Sequence, residues 1–182
     1  IMGKTETPRN PAPVEAPAVP EGTDLVEWYY ERGCSDGLPV VPPTPERVQR
    51  MLAGTKLGPG KTVALVAPGF GAATVERIAI NAVMAGCLPV YLPVVVAILR
   101  AMCQEPFNLH GSSASTGGSA PFIVVNGPVR TVIGMNATHN ALGQGNRANA
   151  TIGRAVRLVV TNVLGYIPGQ VDRSTLGHPG KF

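Results

Sequence analysis

The sequence contains few charged side chains: they make up 14% of the 182 residues, against roughly 25% in an average soluble domain. A surface with so little charge predicts that another chain covers part of it. Aromatic residues are also scarce, at 5%. The net charge of +4 comes from scattered lysines and arginines without a basic run, so we do not expect a nucleic-acid-binding surface.

Cysteine pairs and long apolar runs are missing as well. There are three cysteines and no CxxC spacing: Cys34, Cys87 and Cys103. An odd number without a close pair argues against a disulfide framework and for a reducing compartment. The most apolar stretch, residues 87–103, is interrupted by two prolines and Arg100 and is too short to cross a bilayer. No apolar leader opens the sequence, so we expect a cytoplasmic protein without membrane contact.

Glycine and proline are abundant, with 22 and 18 residues, and they mark the organisation of the chain. Five prolines within residues 1–22 predict an extended or disordered arm. Residues 23–182 predict one domain. Its last residues, 177–182, resemble a turn whose continuation is missing. We therefore expect the domain to belong to a longer or two-chain protein.

The hydrophobic pattern of residues 23–182 predicts an α/β fold in which short buried strands alternate with apolar helices, joined by Gly/Pro-rich loops. Residues 62–67 and 122–126 are the expected buried strands. An apolar helix is expected from residue 94 to about 103. Three threonines are expected to cap helices at their N-termini: Thr23, Thr44 and Thr74.

A longer helix is expected near the C-terminus, because apolar residues there recur at helical spacing. They form one stripe: Ile152, Ala155, Val156, Val159, Val160 and Val163. The stripe predicts a core helix. Asn146 or Asn149 is placed to cap its first turn, where free backbone N–H groups and Arg147 favour a carboxylate or phosphate.

Glycine and asparagine are concentrated just upstream of this helix. A purely structural loop rarely needs so many side-chain amides, so we predict a site for a small anionic substrate. Its residues are Asn136, Asn146, Arg147, Asn149 and Arg154. A capped core helix with surface arginines is the alternative. Residues 143–148 fit G-x-G-x-x-A, but no strand precedes them and no acid follows at the required distance. We therefore do not expect a nicotinamide or flavin, and the cofactor stays unknown.

Cys34 and Asp36 lie in a turn after the first expected helix, and both are candidate catalytic residues. An exposed thiol in a turn can be a nucleophile or a redox group. The negative end of the helix dipole raises the pKa of such a thiol, and Arg32 partly offsets this effect. An ordinary cysteine in a turn is the alternative. Cys87 and Cys103 are expected in the core.

His110 and His139 are further catalytic candidates, as general acids or bases, if their loops meet at one pocket. A structural role for each is the alternative. The histidines have no metal-ligand spacing, so we expect no metal. Residues 111–119, rich in Ser and Gly, follow His110. We expect them to form a flexible connection, with a backbone cradle for an anion as the alternative.

Four stretches resemble a bacterial family that is found with UGSC-motif (seleno)proteins. They are TDLVEWYYERGCSDGLPVVPPT (residues 23–44), INAVMAG (80–86), GNRANATIGRAVRL (145–158) and GHPGK (177–181). The resemblance covers most of the chain from residue 23 onward. The resemblance implies thiol- or selenol-linked reductive chemistry. It also implies that members of the family are longer than this chain. This chain would then be the N-terminal part of such a protein, as a fragment or as a product of proteolytic processing. The UGSC tetrapeptide is absent here, so its role is not carried over.

Three functions follow as hypotheses. The first is an enzyme subunit or fragment that acts on a small anionic substrate and completes its site with a second polypeptide; an oxidoreductase or a lyase fits best. The second is a thiol redox protein that depends on Cys34. The third is a non-catalytic binding or scaffold subunit of a heteromeric complex.

Overall fold

The computed structural model of the chain describes residues 19–66 and 71–181. The arm predicted for residues 1–22 lies outside them except for its last four residues, as do residues 67–70. The described elements are α1 (Leu25–Glu31), α2 (Pro45–Leu52), β1 (Thr62–Val66), β2 (Gly71–Thr74), α3 (Val75–Met84), α4 (Leu92–Met102), α5 (Leu109–Ala114), α6 (Pro128–Val132) and α7 (Arg147–Asn162), with short 3-10 turns at Pro89–Tyr91, Glu105–Phe107 and Pro179–Lys181.

Side-chain oxygens define where the first three helices begin. Thr44 and Thr74 accept hydrogen bonds from backbone N–H groups of the first turns of α2 and α3, as predicted. The cap of α1 is Asp24 and not Thr23, so that prediction is wrong by one residue. A carboxylate at this position also complements the helix dipole. Gly33 follows α1 with a φ of +66°, the left-handed conformation that ends many helices.

The core is built around α3, which packs against α2, α4 and α7. Eight of its ten residues are buried, as expected for a helix that is apolar on nearly all sides. The apolar stripe predicted for α7 is confirmed, with Val163 half-buried and its other members buried. The expected helix over residues 94–103 is α4, which starts two residues earlier, at Leu92.

The two strands, β1 and β2, pair antiparallel. The prediction of a strand at residues 62–67 is confirmed for Thr62–Val66, but the expected burial is not, because Leu65 is exposed and only Ala64 is fully buried among the residues whose side chains are described. β2 reaches the end of α7 so closely that a Cβ at Gly71 would clash with the carbonyl oxygen of Val163. The glycine therefore allows the hairpin to lie against the helix.

The strand predicted at residues 122–126 is wrong. This stretch has no regular secondary structure, and Phe122 and Val124 are 76% and 65% exposed. Ile123 and Val125 pack against the core, so the alternation of sides typical of a strand is retained. A β-strand needs a hydrogen-bonded neighbour, and the described residues do not provide one here.

The prediction of a flexible connection at residues 111–119 is wrong for its first part, since residues 111–114 belong to α5. The side chain of Asn108 starts this helix by accepting a hydrogen bond from the N–H of Gly111. Asn108 itself has a φ of +51°, a conformation that asparagine tolerates better than most residues. Serine and glycine here therefore form a short helix under a polar cap.

Helices and strands occur together in the described residues, so the chain has an α/β fold, although helices dominate. No single helix in residues 19–66 and 71–181 is both long and apolar enough to cross a membrane. One helix pair, Pro89–Met102 with Glu105–Ala114, has the length and composition of a membrane span, but the two helices meet at a bend of 75°.

Candidate functional site

Residues 134–149, which we call the Asn loop, are held together by the side chain of Asn149. Its Nδ2 donates hydrogen bonds to the carbonyl oxygens of Asn136 (2.9 Å) and Ala141 (3.0 Å). Its Oδ1 accepts one from the N–H of Asn136 at 3.0 Å. Both amide hydrogens of Asn149 are therefore already used inside the loop.

Asn136, at the other end of this contact, folds the next turn. Its Oδ1 accepts hydrogen bonds from the N–H and the hydroxyl of Thr138, and its Nδ2 donates to the carbonyl of His139 at 2.9 Å. The side chain of His139 itself is exposed. The many amides of the Asn loop thus satisfy backbone groups that water or regular structure would otherwise satisfy.

The N-terminus of α7 is capped by Asn146, whose Oδ1 accepts from the N–H of Asn149 at 3.0 Å. This confirms one of the two predicted caps. The Nδ2 of Asn146 donates to the carbonyl of Gly134. Arg147 turns its guanidinium to the carbonyl of Gly86, with two contacts at 3.0 and 2.9 Å. All four predicted binding residues of the Asn loop and its helix start are therefore engaged with protein backbone.

Arg154, the fifth predicted binding residue, lies two turns after Arg147 on α7 and forms a two-point ion pair with Asp36. Its Nε and Nη2 are each 2.8 Å from a carboxylate oxygen of Asp36, and Nη2 also reaches the carbonyls of Leu38 and Pro39. Burial raises the pKa of Asp36, but the hydrogen bonds and the charge of Arg154 outweigh it, so the net pKa is lowered. Asp36 is a paired carboxylate that fastens residues 36–39 to α7.

The thiol of Cys34 is buried, with 3% of the residue exposed, so the expectation of an exposed thiol is wrong. Burial raises the pKa of Cys34, and Arg32 partly opposes this shift. The guanidinium of Arg32 is itself stacked on the ring of Trp28, at 3.8 Å. The backbone carbonyl of Cys34 accepts a hydrogen bond from Asn162, deep in the core. Cys87 is buried as expected, whereas Cys103 is only half-buried.

The two candidate histidines are not brought together by any described contact. His110 lies on α5 and is exposed, with its ring edge-on to Tyr166 at 6.3 Å between centroids. His139 lies in the Asn loop. Within residues 19–66 and 71–181, no group of three or more His, Cys, Asp or Glu side chains is placed to hold a metal ion.

A cavity of about 180 Å³ lies beside the middle of α7, away from the Asn loop. It is lined by parts of α4, α5 and α7, by residues 119–121 and Ile123, and by the last described residues of the chain. One side is apolar: Met102, Leu109, Ile123, Val156 and Val160. The other side carries hydroxyl and cationic groups: Ser112, Ser113, Ser119, Arg157 and Lys181. This division fits a molecule with one polar and one apolar end.

The two cations of the cavity are anchored by Asp172, which is 4% exposed. Lys181 Nζ lies 2.8 and 2.7 Å from the two carboxylate oxygens, and Arg157 Nη2 lies 3.0 Å from one of them. Ser174 completes the group: its hydroxyl oxygen accepts from Lys181 at 2.6 Å and lies 2.8 Å from Asp172. We call these four residues the Asp172 cluster.

The electrostatics of the Asp172 cluster favour the ionised carboxylate. Burial alone would raise the pKa of Asp172, but hydrogen bonds from Lys181, Ser174 and Arg157 outweigh this effect and lower the pKa to about 2. At neutral pH the cluster therefore carries two positive charges and one negative charge. The excess of one positive charge lies at the wall of the cavity.

The backbone next to the cavity is fixed by contacts between residues 113–118 and the C-terminal segment. The N–H groups of Arg173 and Thr175 donate to the carbonyls of Ser113 and Thr116, at 3.2 and 3.0 Å. A Cβ at Gly118 would clash with the carbonyl oxygen of Gly177. The absence of a side chain at residue 118 thus lets the C-terminal segment, and with it Lys181, approach the serines.

The sequence did not predict this cavity, although residues 111–119, the alternative backbone cradle for an anion, contribute Ser112, Ser113 and Ser119 to its lining. Arg157, Asp172 and Lys181 are far apart along the chain, and neither spacing nor composition joins them. One local feature was available: Gly153 interrupts the middle of a long helix, where glycine costs about 1 kcal/mol relative to alanine. It lies one turn before Arg157, on the side that faces the cavity.

No protein-family model, curated protein or solved structure matches this chain. The resemblance to the family found with UGSC-motif proteins therefore stays a prediction, and so do the reaction class and the partner that it implies.

Proposed function

We propose that this chain binds a small organic anion in the cavity beside α7, as a subunit or N-terminal part of a cytoplasmic enzyme whose reactive groups come from a second polypeptide. The observation that carries the proposal is the Asp172 cluster, which holds Arg157 and Lys181 at the wall of a cavity with an apolar opposite side. Buried charges are costly unless they are paired, and this cluster pairs them while leaving one positive charge in excess.

The lining of the cavity supports the participation of a second polypeptide. Among the described lining residues there is no His, Cys, Asp or Glu, so a general base or a thiol nucleophile is not supplied from these positions. Arg157 is suited to binding and to charge stabilisation, and Lys181 holds the carboxylate that anchors it. A general base or thiol for a reaction on the bound anion would therefore come from residues that do not line the cavity.

Residues 122–126 support a site for that second polypeptide. No backbone–backbone hydrogen bond joins them to another described residue, and Phe122 and Val124 point to solvent. An extended segment with free backbone groups and exposed apolar side chains is suited to pairing with a strand of another chain. Ile123, in the same segment, lines the cavity. A strand added here would therefore lie next to the bound anion.

The binding part of the proposal is tested by NMR titration of the purified chain with benzoate and with phenyl phosphate. We expect the backbone resonances of residues 112–113 and 153–157 to shift, and we expect the shifts to be lost in Arg157→Gln. Arg100→Gln is the matched control: it removes the same charge from an exposed position on α4. If neither anion binds, or if both variants bind equally well, the proposal is wrong.

The partner part is tested by hydrogen exchange of residues 122–126 in the native material and in the isolated chain. Pairing with a second polypeptide predicts slow exchange in the native material alone, together with a co-purifying chain detected by intact mass. Equally fast exchange in both samples would contradict the proposed position of the partner.

A further inference from the structure

The hydrogen-bond donors of the Asp172 cluster are not equally available to a ligand. An ammonium group has three N–H donors, and Lys181 directs all three to protein atoms: two to the carboxylate of Asp172 and one to Ser174. Lys181 therefore neutralises Asp172 and has no donor left for a ligand. It acts as a positioning residue.

Arg157 keeps most of its donors. A guanidinium has five N–H donors, and the described contacts of Arg157 use Nη2 alone, in its bond to Asp172. Nε and Nη1 have no protein partner among the described residues. The bond at 3.0 Å anchors one nitrogen of the guanidinium, since Asp172 is itself held by Lys181 and Ser174. A planar fork anchored at one nitrogen is suited to two-point binding of a carboxylate through its other nitrogens.

Charge and size limit the ligand further. Because Lys181 and Asp172 cancel, the cavity offers one net positive charge, which matches a single carboxylate. A phosphate dianion would bring a second negative charge close to Asp172. The volume of about 180 Å³ is close to the roughly 150 Å³ of an engineered apolar cavity that accepts benzene in another protein. The apolar side of the cavity therefore accepts a body the size of one ring or a branched alkyl group.

We infer that the ligand is a small monocarboxylate with a compact apolar body, whose carboxylate is held by Arg157 and whose body lies against Met102, Leu109 and Val160. This inference rests on the proposed function, because it names the class of anion that the cavity binds. The hydroxyls of Ser113 and Ser119, which have no hydrogen-bond partner among the described residues, are further donors near the carboxylate.

The test compares four ligands against the purified chain by NMR titration: benzoate, acetate, phenyl phosphate and benzamide. We expect benzoate to bind best. Acetate should bind at least about tenfold more weakly, because it lacks the apolar body. Benzamide, which has no charge, should bind at least about tenfold more weakly than benzoate. Phenyl phosphate, with the same ring and a second charge, should also bind more weakly.

Arg157→Lys is the sharper variant, since it retains the positive charge and removes the planar fork. We expect benzoate to bind this variant at least about tenfold more weakly than the unmodified chain, with Arg100→Lys unchanged. Tighter binding of phenyl phosphate, or equal binding of acetate and benzoate, would overturn the inference and leave the proposed function intact. Equal binding of benzoate to Arg157→Lys and the unmodified chain would overturn the two-point contact. Failure of every anion to bind would instead refute the proposed function itself.

Discussion

The Asn loop and the Asp172 cluster both place polar side chains beside α7, but the two regions use their hydrogen-bond donors differently. In the Asn loop, the amides of Asn136, Asn146 and Asn149 bind backbone groups of the loop itself. In the Asp172 cluster, three side chains use their hydrogen bonds to hold a fourth, Arg157, beside an open space.

This difference shows why the density of polar residues is a poor guide to a binding site. Residues 134–149 need many side-chain hydrogen bonds because they have no regular structure to satisfy their backbone groups. A ligand site needs fewer polar residues, but their donors must be fixed in place and unused. We therefore expect substitutions in both regions to destabilise the fold. Of the two regions, only the Asp172 cluster should affect ligand binding when it is substituted.

The largest effect is expected from Asp172→Asn. The substitution leaves Arg157 and Lys181 without their buried counter-charge, and removing one partner of a buried ion pair costs about 3 kcal/mol. We expect the free energy of unfolding in urea to fall by about this amount, and anion binding to weaken because Arg157 loses its anchor. Asp36→Asn is the control, since the side chain of Asp36 is 14% exposed and that of Asp172 only 4%. An equal or larger loss in Asp36→Asn would contradict this ranking.

Acid pH should affect the same cluster. The pKa of Asp172 is about 2 in the folded chain, below the value of about 4 of an aspartate in an unfolded chain. The unfolded state therefore takes up the proton first, so the stabilisation is complete above about pH 4 and is lost as the pH falls toward 2. The difference between the two pKa values corresponds to about 3 kcal/mol of stability. Urea midpoints at pH 7, 4 and 2 measure it.

Asp172→Asn distinguishes this source of acid sensitivity from others. The variant lacks the carboxylate, so its unfolding free energy should change less between pH 4 and pH 2 than that of the unmodified chain. The lowered pKa of Asp36 acts in the same direction and will leave part of the dependence in place. An unchanged pH dependence in Asp172→Asn would show that the cluster does not stabilise the fold through its charge.

Asn149→Ala tests the Asn loop. The substitution leaves the N–H of Asn136 and two carbonyls without their partner, which should lower the free energy of unfolding by about 2 kcal/mol. Asn126→Ala, at an exposed position, is the matched control and should have little effect. Binding of benzoate, measured where the variant is folded, should be unchanged. Loss of binding with an intact fold would restore the Asn loop as a substrate site.

Local patterns predicted α1, α2, α3, α4 and α7, but not the short helices α5 and α6. The threonine caps of α2 and α3, the asparagine cap of α7 and the apolar stripe of α7 all depend on neighbours within about one turn, which the sequence displays directly. The prediction of a strand at residues 122–126 is wrong because hydrophobic alternation shows only which side chains of a segment can be buried. Whether a second strand pairs with it depends on the rest of the fold.

The candidate site was harder to predict for a related reason. Asp172, Arg157 and Lys181 meet through packing of the C-terminal segment on residues 113–118, and no single stretch of sequence contains that contact. The burial of Cys34 also depends on packing between distant parts of the chain. Its position after a helix suggested a turn at the surface, but the packing of α1 and the hydrogen bond from Asn162 place it in the core.

The smallest effect, and the most specific, is expected from Gly153→Ala. Glycine in the middle of a helix is less favourable than alanine by about 1 kcal/mol, so the substitution should raise the free energy of unfolding or leave it unchanged. Because Gly153 lines the cavity one turn before Arg157, the added methyl group takes space from the ligand, and benzoate should bind more weakly.

Thr161→Ala is the matched control for this pair of effects. It lies on the same helix, away from the cavity lining, and also replaces a residue of lower helix propensity with alanine. We expect it to change stability slightly without changing benzoate binding. If Gly153→Ala, but not Thr161→Ala, makes the chain more stable and weakens benzoate binding, the glycine is retained for the space it leaves. Unchanged binding in Gly153→Ala would mean that the ligand does not enter this part of the cavity.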